Sequence, residues 1–588
     1  MQKQGEIIMK KTGIKIVSVI LALSLIFGGV SSIGASAASD IEKSLKHAGV
    51  SVVDGIVTHL LSFINKLVPD SDEIQPVSKH NRDNFYEGTK SMLDEPADNA
   101  CWNLGYAKAS LVPSDWQTKD YYLGGFISLQ NGMKNKVEEV IDDMQIRVIA
   151  VSDGSGRGVS VFANIDSIGV SNGDIKVIRS YLSELNLGVE INAVTVTSTH
   201  CHSCIDTQGL WTDLLSKLGK NMAKAYLPLG EMETGTDPEF IEFLCRTAAN
   251  AMKNAINGMT PGTMTYAVKA LDPEYFNNKN RKSATAVMND MSRFVFTPFD
   301  ESIKPTMIVN IAAHPDIAGL AVDDVDNGRQ LSGDYVYYMG ETIENAGYNF
   351  MFFNGAIAGI YAGRGLSNDS VPLDRRYEQS MRYGQEMGNI ALNLTNSYDT
   401  ISANADWDKI NAEMAAGGDG YTLWFEDWEP VEERELEPIL NLLISEVKIR
   451  VTNPLIILVG KLNLANYSVY KENHRYYIFT EIGYMEMGDV KVALMPGEIV
   501  QDLVAGGASL TAEGSYSGKD FGYKTIYELF GEDTICFGLA NDAIGYVVPD
   551  NDYSLAILDD HYQELISLGS ETASSIMKGF AGLAGRVN

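Results

Sequence analysis

The chain reads as α/β: a large mixed or mostly parallel sheet with flanking helices and a metal site at the C-terminal ends of the strands. Three observations carry this reading. From Asn103 onward, apolar runs of strand length alternate with stretches of helical period. No internal repeat or low-complexity tract interrupts that alternation. And His200, His202, His314 and Glu498 each stand just past the end of an apolar run, which is where open α/β sheets bind ligands.

The elements follow in chain order. Lys10 and Lys11 precede the apolar run Ile16–Phe27 and then Ala35-Ser36-Ala37, the three parts of an export signal over residues 1–37. The run is shorter than the ~20 residues a membrane span needs, so an uncleaved anchor is the alternative. No cysteine follows, which excludes a lipoprotein anchor. Residues 38–100 form an N-terminal extension. Ile56, Val57, Leu60, Leu61 and Ile64 have helical spacing, and that helix packs on the body or faces lipid. The polar stretch from Pro69 to about Asn99 reads as a linker or wrapped arm. Residues 101–588 are the body. A helix end is expected near Val137–Ile141, and a helix at Ile175–Leu185. Strands are expected at Ile146–Val151, Val159–Ile165, Val194–Thr199, Thr306–Ile311, Asn349–Phe353 and Val490–Met495. Ile439–Leu464 is apolar enough for a buried strand pair or a pocket lining, and the acidic run Glu426–Glu437 reads as solvated surface.

Composition narrows the class without naming a chemistry. The 588 residues carry a formal charge of −31 and are 45% hydrophobic, a soluble globular balance that disfavours nucleic acid as a partner. Five cysteines exclude a disulfide-built miniature fold, and their odd number leaves one unpaired within the chain.

The candidate chemistry lies in four places. Thr199-His200-Cys201-His202 ends an apolar run, and residues two apart on a strand share a face. This makes His200 and His202 either a metal-binding pair or a hydrogen-bonded pair in a polar cleft. His314 closes the run Met307–Ala313 before Pro315, as a ligand or a structural histidine. Glu498 follows Pro496-Gly497, as a ligand or a helix-start acid. Asn541, Asp542 and Tyr546 stand in a segment of small residues that otherwise reads as a turn before a core tyrosine. Two or three histidines with a carboxylate form the shell of a catalytic zinc, suited to amide or ester hydrolysis. Cys201 and Cys204 read as a chance pair or local disulfide, and Asp324-Val-Asp326-Asn-Gly328 as a weak calcium-loop echo.

Assembled in order, these blocks resemble the neutral/alkaline, non-lysosomal ceramidases. Leu104–Pro113 with Tyr122-Leu-Gly-Gly-Phe126 resembles the family's opening strand and turn. Ser198-Thr-His200-Cys-His202-Ser203 resembles Thr-His-Thr-His-Ser, Asn280-Arg281-Lys-Ser283 resembles Asn-Arg-x-Ser, and Ala313-His314 the later histidine. Met495-Pro-Gly-Glu498 resembles Ile-Pro-Gly-Glu, Gly538–Val547 the segment ending in Gly-Tyr, and His561-Tyr562 the closing His-Tyr pair. The resemblance implies one Zn2+ held by His200, His314, Glu498 and Tyr546, with His202, Arg281 and Tyr562 holding the substrate. It implies an exported, secreted or cell-surface enzyme that uses zinc-activated water to cleave ceramide or a related N-acyl lipid into fatty acid and sphingoid base.

Three departures qualify that transfer. A family loop of the type Gly-Asp-x-Ser-Pro is Gly355-Ala356-Ile357-Ala358-Gly359 here, without the acid or the serine. Cys204 replaces a glycine after the His-x-His. No segment follows His561-Tyr562 that matches the family's C-terminal immunoglobulin-like domain. The alternatives are therefore a zinc hydrolase of another amide or ester, or a catalytically silent lipid-binding surface protein.

Overall fold

The computed structural model describes residues 55, 58–125, 135–212, 214–278, 285–318, 329–363, 376–397, 399–401, 429–555 and 562–587. Arg281, His561, Asp324–Gly328, Ile56 and Val57 lie outside them. Two sheets dominate. The larger has nine strands. Its path runs Asn349–Asn354, Thr306–Ile311, Asp290–Pro298, Thr260–Ala270, Trp102–Ser110, Gln145–Ser152, Val159–Ile165, Ile191–Ser198, and Glu433–Glu435 pairs with Thr260–Ala270. The sheet is mixed rather than mostly parallel. Along this path only 349–354 with 306–311 and 159–165 with 191–198 are parallel; the other pairings are antiparallel. The second sheet is built on Leu440–Val451 against Arg475–Met487, followed by Val490–Leu494 and Ile535–Phe537.

Side-chain alternation explains how the layers stack. Ile146, Val148 and Ala150 pack under the helices Asn172–Glu184 and Pro238–Asn257. Their neighbours Ile149 and Val151 face the second sheet and meet Leu440, Leu442, Met485 and Leu494. Likewise Phe350 and Phe352 pack with Tyr335, Met339 and Met387 of the helices Asp334–Asn345 and Arg376–Leu392, whereas Met351 and Phe353 join the core between the sheets. The outer face of the second sheet is covered by the helix Thr572–Val587 through Ile576, Met577 and Phe580. The order is helices, sheet, sheet, helices.

Two elements differ from the sequence reading, and a third, the arm, takes one of its two alternatives. Val137–Val140 is a strand, paired with Arg329–Leu331. Ile439–Leu464 is one long strand and then a helix, Pro454–Lys461, started by the Asn453 side chain accepting from the Leu455 N–H. Residues 69–100 wrap along the second sheet: Gln75–Pro76 pairs with Tyr470–Lys471, and the Thr89 N–H donates to Leu442 O. No described helix is long and apolar enough to cross a membrane.

Candidate metal centre

His200 and His314 belong to strands six places apart along the sheet. In a flat sheet, at about 4.8 Å per strand, they would be about 29 Å apart. Their ring centroids are 4.7 Å apart, because the sheet curls until its edge strands touch. Asn354, at the end of one edge strand, donates from Nδ2 to Thr199 O of the other at 2.8 Å and accepts from the Ala313 N–H at 3.2 Å. One fully buried amide thus ties the backbone before His200 to the backbone before His314. The loops are joined again where the His202 N–H donates to Pro315 O at 3.0 Å.

His200 and His202 converge, with ring centroids 4.9 Å apart, by a different route from strand alternation. The strand stops at Ser198, and His200 takes a left-handed conformation, φ 65°. That turn points its ring inward while Cys201 is turned away.

The histidine tautomers are set by the backbone. His200 Nδ1 lies 2.7 Å from Ile168 O, and His314 Nδ1 lies 2.7 Å from Ile360 O. A carbonyl only accepts, so each Nδ1 carries the proton and each Nε2 lone pair faces inward. Both Nε2 atoms meet the same carboxylate oxygen, Glu498 Oε2, at 3.3 Å and 3.1 Å. Burial raises the Glu498 carboxyl, but when His200 and His314 are protonated their positive charge and hydrogen bonds outweigh that and hold it well below the usual range. Three electron-pair donors aimed at one another are stable only with a proton or a cation between them. This donor set fits zinc. His202 completes a cluster whose possible ligand atoms, with those of His200 and His314, all lie within 4.8 Å of one another. Burial first, and then its two histidine neighbours, keeps His202 well below the usual imidazole range and therefore neutral at pH 7.

Glu498 and Tyr546 come together because their short strands pair directly. Gly497 and Gly545 permit it. Each has positive φ, and a Cβ on Gly497 would fall 2.4 Å from Gly545 O. The Tyr546 hydroxyl hydrogen-bonds to Tyr562, whose hydroxyl is 3.1 Å from that of Tyr361. Tyr361 also stacks on His314, with centroids 4.6 Å apart. Burial and the nearby Glu498 push the Tyr546 hydroxyl well above its ordinary pKa. Tyr562 remains 46% exposed, so the three hydroxyls lead from the centre to solvent.

The structure therefore brings together His200, His202, His314 and Glu498, with Tyr546 and Tyr562 beside them. Ala356 and Ala358 are buried in apolar surroundings, and the Ala358 N–H donates to Ile499 O. Cys201 and Cys204 are free thiols that share Ser332 O as acceptor, at 3.2 Å and 3.5 Å, so no local disulfide forms. Burial raises both thiols, and they stand outside the donor set. Asn354, Ile168, Ile360 and Tyr361 were not singled out from the sequence. Two act through backbone carbonyls, which leave no residue-type signal. Gly125 was visible within Tyr122-Leu-Gly-Gly; a Cβ there would lie 2.6 Å from the His202 ring.

No family model matches the chain, and no curated protein matches it in sequence. Its fold is that of neutral ceramidase. The crystal structure of neutral ceramidase from Pseudomonas aeruginosa superposes with a TM-score of 0.56 at 14% identity, over 83% of this chain and 75% of that one. A ceramidase complexed with C2 gives a TM-score of 0.55 at 13% identity over the same shares.

Proposed function

We propose that this chain is a zinc-dependent amidohydrolase of ceramidase type, exported through residues 1–37, that cleaves the amide of ceramide or a related N-acyl lipid. One observation carries the reading: two backbone-locked histidines direct Nε2 at a single oxygen of a buried glutamate. The ligands would be His200, His314 and Glu498, with Tyr546 as the fourth. When bound, zinc polarises a carbonyl and makes water a nucleophile near neutral pH.

The chain's own residues set the conditions for that chemistry. Ile168 O and Ile360 O fix ring orientation and tautomer, and raise the basicity of each Nε2. Glu498, itself buried, offsets cationic charge at the centre. His202, neutral and beside the two ligands, donates from a ring N–H to the developing oxyanion. The Tyr546–Tyr562–Tyr361 hydroxyls can pass a proton towards the leaving amine. Arg281 is assigned to substrate holding on its motif alone. Ala356 and Ala358 supply neither carboxylate nor hydroxyl. That favours water attack over an enzyme nucleophile, and it supports a second reading in which the substrate is a different amide or ester.

The test is fatty-acid release from long-chain ceramide, with chelator and then added zinc. Release that the chelator stops and zinc restores is the expected result, together with loss of both bound zinc and release in His314→Ala. Bound zinc without release selects the second reading. Neither zinc nor release refutes the enzyme.

A further inference from the structure

Three helices form one corner of the molecule: residues 58–67, Leu214–Tyr226 and Pro454–Lys461. They pack on one another through Leu61, Ile64, Met222, Leu455 and Leu458. Tyr226 Oη donates to Leu67 O at 2.7 Å. Their composition departs from the rest of the chain. The protein has 77 Asp and Glu against 46 Lys and Arg, yet these helices contain no acidic residue and carry Lys66, Lys217, Lys220, Lys224 and Lys461. Among the described residues two acids reach them. Glu233 is 3.2 Å from Lys224 and 3.4 Å from Lys220. Asp70 is 3.1 Å from Lys461, which is buried and also donates to Asn65 O and Val68 O.

The same corner projects large apolar side chains into solvent. Leu60 is 42% exposed and Phe63 57% on the first helix; Leu227 is 39% and Leu229 58% just beyond the second. Lys217 donates to Thr234 O and Gly235 O and Lys461 is turned inward, but Lys66 and Lys220 are exposed. Apolar tips with such lysines beside them match the way an amphipathic helix lies in an anionic lipid surface, where the tips enter the acyl boundary and the exposed ammonium groups meet phosphates. A soluble acidic partner would be served by the lysines and not by the phenyl and leucyl tips. The corner also leads to the metal centre. Val459 of the third helix packs both within it and against Ile168, Leu210 and Trp211, and Ile168 O holds His200.

We infer that this three-helix corner docks the protein on an anionic phospholipid membrane, with Leu60, Phe63, Leu227 and Leu229 inserted. The inference deepens the proposed function and rests on it for the identity of the substrate as a lipid taken from that membrane.

The full chain carrying an environment-sensitive fluorophore at Leu229→Cys tests it. A second sample carries the label at Phe299→Cys, an exposed position in the turn after Asp290–Pro298. Vesicles of phosphatidylcholine with phosphatidylglycerol should blue-shift the label at 229 and leave that at 299 unmoved. Leu60→Ser with Phe63→Ser, and separately Lys66→Glu with Lys220→Glu, should weaken the half-saturation roughly tenfold. No shift at 229, equal shifts at both positions, or an undiminished shift in both variants overturns the docking surface. Hydrolysis of a water-soluble short-chain N-acyl amine separates the two readings. If the unaltered protein hydrolyses it, the Leu60/Phe63 variant should do so at the same rate. If the unaltered protein does not, the ceramidase-type reading fails whatever the fluorophore shows.

Discussion

Asn354 connects the backbone ahead of His200 to the backbone ahead of His314, so both rings are placed before any metal arrives. Asn354→Ala should leave the fold and the ligands intact while lowering zinc affinity about 10–100-fold. Competition with a chromophoric chelator measures this; an unchanged affinity would reduce Asn354 to packing. The sequence showed the ligand histidines and the glutamate because those residue types carry their own chemistry. It could not show Asn354, since an asparagine closing an apolar run is ordinary. Nor could it show that Ile168 and Ile360 act, because their contribution is a carbonyl oxygen.

At the scale of the element, the six strands expected from apolar runs lie where those runs stand, whereas Val137–Val140, expected as a helix end, is a strand, and strand directions were not legible. The strand 145–152, antiparallel to both its neighbours, reads as the same near-continuous apolar run as the parallel pair 306–311 and 349–354, a pattern typical of parallel sheets covered on both faces. Here the cover comes from helices on one side and a second sheet on the other, so antiparallel strands acquire the same pattern. The four apolar residues Ile456–Val459 were ambiguous for a related reason: a short apolar run has no period, and the helix is decided by Asn453 and Pro454 ahead of it. The start of the helix Asn172–Glu184 has a pH consequence. Its first N–H donates to Asp542 Oδ1 at 3.0 Å, and burial raises the Asp542 carboxyl from 3.8 to about 7. Between these values the native state holds a proton that the unfolded chain has released. The contribution is therefore complete below about pH 4 and is lost as pH rises through about 7. Asp542→Asn should flatten the fall in unfolding free energy between about pH 4 and about pH 7, the window between the two titrations, as read by urea titration. An unaltered slope would show that Asp542 is not the group responsible.

For the whole molecule, the four proposed ligands come from segments spread between positions 200 and 546, and both sheets must be in place before the shell closes. Binding to the native state alone stabilises it by RT ln(1 + [L]/Kd), about 4 kcal/mol at a thousandfold excess over Kd. Chelation should accordingly lower Tm by several degrees, on the order of 2–4 °C per kcal/mol for domains of 150–250 residues and less for a larger chain, and added zinc should restore it. A Tm indifferent to chelator would mean that no metal is held.

The curl that brings the histidines together also closes the larger sheet at the end where the centre lies. Its two edge strands, 191–198 and 349–354, would otherwise present unpaired amides and carbonyls there. The loop 538–541 takes up both: the Gly538 N–H donates to Asn354 O, and Asn541 bonds to Val196 through its own N–H and its side-chain oxygen. An open edge is a template on which a second chain can add a strand. Loop 538–541 takes up Asn354 on one edge and Val196 on the other, so the segment leading to Tyr546 also blocks strand addition at the end of the sheet beside the centre.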